Sequence, residues 1–406
     1  MNFLNKILKP FLITGLIAFV ISSCNKDVEQ FPEIVPPGAN PSPGLATVLA
    51  SSANTLYNAI VIKSGMSATL NDSTRTLTMF VPVNAAVKQA ITALTGGLVP
   101  SGSPDAAYLG FISSANFTQQ TAVGIVSYNT VPQKINYSTL PAGFPNFQYP
   151  SLLNPAPTLS ALLRLAIFPS KTNGNFVNNV PIVNAGTPAG NGIIYETGAL
   201  ASPPRRYLWD RINTDPDLTY LKAAIARADE GAAAGSTLTG FLQNIGANFT
   251  VFAPTDAAFK TTLTGLIYQT LIAQSVPPAI ASVQATTLAS TTGVFTNPAL
   301  ASVLTPTTVK GIVVYHILGS RAFLNNLPTT QTNFPTLLNG AVAAHPGVGL
   351  KVTMSSVMAA SATVKGTVNA TAANVAVNPT PEPGGSSDQH YLNGVLHKID
   401  QVLLPQ

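Results

Sequence analysis

Three segments of this chain occur twice, in the same order. LTMFVPVNAAVKQAI (77–91) matches FTVFAPTDAAFKTTL (249–263). IVSYNTVP (125–132) matches VVYHILGS less closely, with Tyr128 opposite Tyr315. NGIIYETGALASPP (191–204) matches NGVLHKIDQVLLP (393–405). Phe80 against Phe252 gives an offset of 172 residues, Tyr128 against Tyr315 gives 187, and Asn191 against Asn393 gives 202. Matches that keep their order while the offset grows by 15 at each step describe a duplicated domain whose second copy carries two insertions. A chain of 406 residues is long enough for two such domains, each with its own core.

The local physics of the repeat is readable. Phe249 to Ala253 is rich in β-formers and reads as a strand that Pro254 ends. Thr255 or Asp256 then caps a helix beginning at Ala257. Asn84 stands where Asp256 does in the first copy, which keeps capping chemistry. Ahead of the second copy, Asp215-Pro216 reads as N-cap and first helical residue, followed by Leu218, Leu221 and Ile225 at helical spacing, with Gly231 as a stop. Residues 311–318 form a continuous apolar run and are expected to be a buried strand. Leu350, Val352 and Met354 alternate with Lys351, Thr353 and Ser355, as a half-exposed strand does. A last strand runs from Val395 towards Leu404, broken near Asp400, and PEPGGSSD (381–388) is expected to be a flexible loop. Helices early and strands late in each copy predict an α+β architecture.

The start of the chain reads as an export and anchoring signal. Lys6 and Lys9 precede an apolar run over 11–22 that is too short to span a bilayer comfortably. It ends in Ile21-Ser22-Ser23-Cys24, which resembles a bacterial lipobox. That resemblance implies removal of 1–23 and acylation of Cys24, the one cysteine of the protein. Residues 24–44 carry five prolines and read as an extended linker reaching about 60 Å from the lipid, at about 3.1 Å per residue. Lys26, Asp27 and Glu29 are similar to the acidic export signals of some bacterial surface lipoproteins. The expected location is therefore the outer membrane of the cell envelope, with surface exposure open.

Composition excludes several function classes. Charged residues are 9% of the chain, against about a quarter in an ordinary domain. The balance of 20 basic and 15 acidic residues gives +5, and the one close basic pair of the body is Arg205-Arg206. Binding to nucleic acid through phosphate neutralisation is therefore not expected. The four histidines, His316, His345, His390 and His397, lack ligand spacing, and a metal or hydrolase site around His390, His397 and Asp388 is not expected. No cofactor motif is present. Trp209 is expected to pack in the core. Thr-, Ser-, Asn- and Ala-rich surfaces meet other neutral surfaces with little desolvation cost, which favours an interaction protein over a catalyst.

The TVFAPTDAAF segment, the Tyr315-His316 pair and the closing NGVLHKIDQVLLP resemble the fasciclin (FAS1) domain. The first copy departs from the pattern, with Val83-Asn84 for Thr255-Asp256, Asn129 for His316 and Tyr195 for His397. The resemblance implies two tandem domains, 45–204 and 205–406, each of two packed β-sheets with several helices. It implies no enzyme activity, and adhesion or extracellular interaction with a protein, matrix or glycan partner. Tyr315 and His316 become a candidate interaction motif by that resemblance, against a plainer role in the core. Thr255, Asp256, Asn393, Gly394 and His397 become structural-motif residues. The alternative is a ligand-binding module in the periplasm or at the outer membrane, holding a glycan.

Overall fold

A computed structural model describes residues 42–405. The signal segment, Cys24 and most of the linker lie outside the described residues. Each copy is organised around a four-stranded sheet of the same design. In the first domain the strand order is Thr130–Val131, Leu77–Pro82, Gly192–Thr197, Thr187–Ala189. In the second it is Ile317–Leu318, Phe249–Pro254, Gly394–Ile399, Gln389–Tyr391. The central pair joins the first strand of the domain to its last, in parallel, with Phe80 opposite Tyr195 and Phe252 opposite His397. A parallel pair needs a long crossover, and here nearly the whole domain is that crossover. The first and third repeated segments supply these two central strands, and the second ends in the edge strand beside them.

The Asn-Gly pair that opens each last strand makes this closure possible. Asn393 Oδ1 accepts from Leu208 N at 3.0 Å, and its Nδ2 donates to Leu242 O at 2.8 Å. Asn191 Oδ1 accepts from Leu45 N at 3.0 Å, and its Nδ2 donates to Leu70 O at 2.9 Å. One buried amide thus fastens the start of each domain to its end and satisfies backbone groups that burial would otherwise orphan. The following glycine lies against the neighbouring strand. A Cβ on Gly394 would stand 2.5 Å from both Phe249 O and Leu208 Cδ1, and one on Gly192 would overlap Leu77 O.

The strand, proline, cap and helix corner joins a second helix as well as its own. Thr255 Oγ1 caps helix Asp256–Ala273 by accepting from Ala258 N at 3.3 Å. Asp256 caps a different helix: Oδ1 accepts from Tyr220 N at 2.9 Å and Oδ2 from Thr219 Oγ1, both in the first turn of Thr219–Ala228. Asn84 repeats this in the first domain, accepting from Leu56 N at 3.0 Å at the start of Thr55–Ser64. Val83 offers no side-chain cap, so the first copy keeps the cross-helix bond and loses the local one.

Several expectations are corrected. Residues 306–315 form a helix, and only Ile317–Leu318 of the apolar run is strand. Thr305 caps this helix and Pro306 occupies its first position. The run is apolar throughout because Val309 and Val313 face the helical core while Tyr315 faces the core between the sheets. Asp215 does not begin a helix. It follows Leu208–Thr214, and its carboxylate is claimed by Arg211 at 2.8 Å and Lys398 at 2.9 Å. The 381–388 loop is fastened rather than free: Glu382 pairs with Arg206 at 2.6 Å, and Ser386 O accepts from Lys398 N at 2.7 Å.

The second sheet is full only in the second domain, where Thr332–Phe334, Val348–Ser355, Met358–Lys365 and Ala373–Asn374 pair antiparallel. Phe252, Tyr315, Leu350 and Val364 fill the space between the sheets. The first domain has only two-residue strands in the matching region, in a two-stranded and a three-stranded sheet. The insertions inferred from the offsets fall where helices Asp256–Ala273 and Pro278–Ala289 are longer than Asn84–Leu94 and Asp105–Ser113, and around the long hairpin. Among the described residues no helix is long and apolar enough to cross a membrane.

Gly394→Ala is expected to destabilise the second domain by roughly 3 kcal/mol, because backbone must move to admit the methyl. Gly265→Ala, on a helix with open space around it, is the control, and urea unfolding of both variants is the measurement.

Candidate functional site

The candidate interaction motif is not a surface in this structure. Tyr315 is 0% and His316 2% exposed. Tyr315 OH donates to Gly347 O at 2.7 Å and accepts from Thr367 N at 3.0 Å. His316 Nδ1 donates to Ile312 O and Nε2 accepts from Leu403 N, each at 2.8 Å. The imidazole thereby ties a helix end to the closing segment of the domain. Asn129 does the same work in the first copy, donating to Ile125 O and Ala201 O, both at 2.9 Å.

His397 is a second internal bridge. Its ring stacks on Phe252 with centroids 5.6 Å apart, Nε2 donates to Ala322 O at 2.9 Å, and Nδ1 accepts from Asp388 N at 3.1 Å. Tyr195 takes its place in the first domain, stacked on Phe80 at 6.2 Å with its hydroxyl on Ile135 O at 3.0 Å. Burial pushes both His316 and His397 down to about 4. Asp388 and His390 do not form a dyad. Asp388 accepts from Leu324 N at 2.8 Å, while His390 faces Arg321 and Tyr128. Among the described residues no group of three or more His, Cys, Asp or Glu side chains is placed to hold a metal ion.

What sequence reasoning missed is a polar seam between the domains. Arg321 Nη1 donates to His390 Nε2 at 2.7 Å, and His390 Nδ1 faces Tyr128 OH of the first domain at 3.5 Å. The hydroxyl accepts from Asn178 Nδ2 at 3.2 Å, and Asn178 O accepts from Asn325 Nδ2 of the second domain at 3.2 Å. Asn173 Nδ2 donates across the seam to Asn325 O at 2.8 Å and Leu327 O at 2.9 Å. Phe168 and Phe323 meet in the middle with centroids 5.9 Å apart, and Arg321 lies 4.8 Å over the Phe168 ring. Asn173 and Asn178 both hold positive φ, a conformation asparagine tolerates better than most residues. The signal was two asparagines five apart in a turn-rich stretch, which carries no mark of partners 147 to 154 residues away.

Burial holds His316, His390 and His397 below the ordinary imidazole value of 6.5, with the Arg321 charge adding to the effect on His390. Each stays neutral in the folded chain where an unfolded histidine takes a proton, so each withdraws stability as the pH falls below about 6.5. Asp388 opposes them, since burial pushes its carboxyl up to about 7. It takes up a proton on folding and adds stability as the pH falls through that value. Three groups outweigh one. The denaturant midpoint is expected to be lower at pH 4.5 than at pH 7. His316→Asn, which installs the residue found at this position in the first copy, is expected to flatten the profile by about 1.4 kcal/mol per pH unit, one proton's worth. A midpoint that is level or rises towards acid contradicts the assignment of neutral histidines.

The Fasciclin domain family model matches residues 51–199 and again 231–405. The helix Leu45–Ala50, fastened to Asn191, lies just ahead of the first match. Among solved structures, the chain is similar to a FAS1 domain pair from the insect cell adhesion molecule Fasciclin I. That likeness is 12% identical over 87% of this chain and 98% of the other, with a TM-score of 0.31. No curated protein sequence matches. The two family matches together span most of the chain, and the protein belongs to the fasciclin domain family as a tandem pair of FAS1 domains.

Proposed function

We propose that this protein is a lipid-anchored component of the cell envelope that acts by adhesion, without a catalytic step. Fasciclin domains are associated with cell adhesion and extracellular interaction. The observation that carries the reading is a neutral helical face on the second domain. No charged residue occurs between Lys260 and Lys310. Helix Pro278–Ala289 and the part of helix Asp256–Ala273 beyond Lys260 lie in this stretch, and Ala281, Ala285 and Ala289 face inward. On the outer side Ile280 is 50% and Val283 68% exposed among Ser, Thr and Gln. A surface without ions can be covered by a partner at little desolvation cost. The lipobox-like tetrad ending in Cys24 supports the anchor, and the proline-rich stretch supports a spacer between lipid and body.

Protease treatment of intact cells is the experiment, with Cys24→Ala as the anchoring control. Digestion of the body in intact cells is expected, together with loss of membrane association in the variant. Protection until the outer membrane is opened would transfer the protein to the periplasm and favour the ligand-binding reading. Ile280→Lys with Val283→Lys is expected to leave the unfolding midpoint within about 0.5 kcal/mol of the unsubstituted chain, as surface changes usually do, and to reduce cell attachment. Attachment unchanged by the two charges would remove this face from the interaction.

A further inference from the structure

Arg321 is a buried cation to which the described residues give no counter-charge. It is 5% exposed, and it takes part in none of the ion pairs among the described residues. Its contacts are all neutral: His390 Nε2, Leu392 O at 3.3 Å and the ring of Phe168. Its Nε–H has no hydrogen-bond partner among the described residues. A charge removed from water is costly unless an anion or a complete set of hydrogen bonds meets it. Burial accordingly draws this guanidinium down to about 10.

A cleft of about 140 Å³ lies beside it, between the two domains. Leu163, Arg164 and Ala166 line it from the first domain, and Gly246, Asn248 and Arg321 from the second. Arg164 is exposed and holds two carbonyls of its own loop, Ala161 O and Leu163 O, through Nη1. The lining contains both guanidinium groups and no Asp or Glu. That is room for several waters, and so for a planar acid group. A guanidinium presents paired N–H donors that match the two oxygens of a carboxylate, and it is less tightly hydrated than an ammonium.

We propose that the cleft between the domains, lined by Arg164 and Arg321, binds a carboxylate carried by a small organic acid or by the uronic-acid residue of a glycan. The acid group enters the cleft, Arg321 meets it from within and Arg164 closes over it from the rim. The remainder of a larger ligand stays outside. Because the lining comes from both domains, the bound anion bridges them. This site does not depend on the adhesive face, which lies on other residues.

Calorimetric titration of the full chain with sodium acetate and with sodium glucuronate, against sodium chloride at equal ionic strength, tests the proposal. Saturable binding of at least one carboxylate is expected, weakened by Arg164→Ala by roughly threefold or more. Arg321→Lys keeps the charge and loses the fork, and is expected to weaken binding roughly tenfold, as loss of a charged hydrogen bond does. Glucuronate binding much tighter than acetate assigns the site to a glycan acid, and equal binding assigns it to a free acid. Absence of saturable binding to either overturns the proposal. So does binding that Arg164→Ala leaves unchanged, a result that stands even if Arg321→Lys fails to fold. Attachment of cells is read separately through Ile280 and Val283, so failure of one reading leaves the other intact.

Discussion

The parallel pairing of first strand with last is the constraint on which each domain depends. Leu77–Pro82 lies beside Gly192–Thr197, and Phe249–Pro254 beside Gly394–Ile399, each pair in register over six residues. Strands so distant in sequence come together only when the intervening helices and hairpins have organised. The contact that closes the domain is therefore also the one with the largest loop-closure cost. The Asn-Gly pair offsets that cost at the most crowded point. Its amide satisfies two or three backbone groups, and its missing Cβ lets the neighbouring strand approach. Everything else in the fold is arranged around this junction: the caps supplied by Asp256 and Asn84 sit at the far end of the same strands.

The two copies show which demands are geometric and which are chemical. Where the second domain uses His316, the first uses Asn129, and the bond to the helix end is kept with a different group. Where the second uses His397, the first uses Tyr195, and both stack on a phenylalanine of the opposite strand while reaching the backbone after the edge strand. Thr78 and Thr250 carry out one further shared task. Each hydroxyl donates to a carbonyl, Gln133 O or Ser320 O, and accepts from Ile135 N or Ala322 N. The position requires a buried group that can hydrogen-bond in a stated direction, and several side chains satisfy it. Degeneracy at such sites is no sign that the first domain is less folded, because its polar groups are met by other means.

Much of this was legible in the sequence, for a physical reason. Phe249 to Pro254 announces a strand because its residues are strand formers bounded by proline, and Thr255 announces a helix start because it can accept a bond from a free N–H. Order and growing offset revealed duplication and roughly where the insertions fall. The 306–315 helix was misjudged because a segment buried on two sides is apolar throughout, and such a run has no period to read. Asp215 was misjudged because a carboxylate before proline looks like a cap, while its actual partners, Arg211 and Lys398, are brought to it by folding. The seam and its cleft were invisible for the same cause: Arg321, His390, Tyr128 and Asn178 are scattered along the chain and meet only when the two domains pack.

The direction of the central pair bears on what happens when the molecule is pulled. The chain enters each domain near the start of the last strand, where Asn191 holds Leu45 and Asn393 holds Leu208, and it leaves beyond that strand's far end. Tension between entry and exit therefore runs along the strands and loads the six-residue ladder in shear, so that its hydrogen bonds resist together instead of opening one after another. A domain built this way meets mechanical force with its strongest geometry.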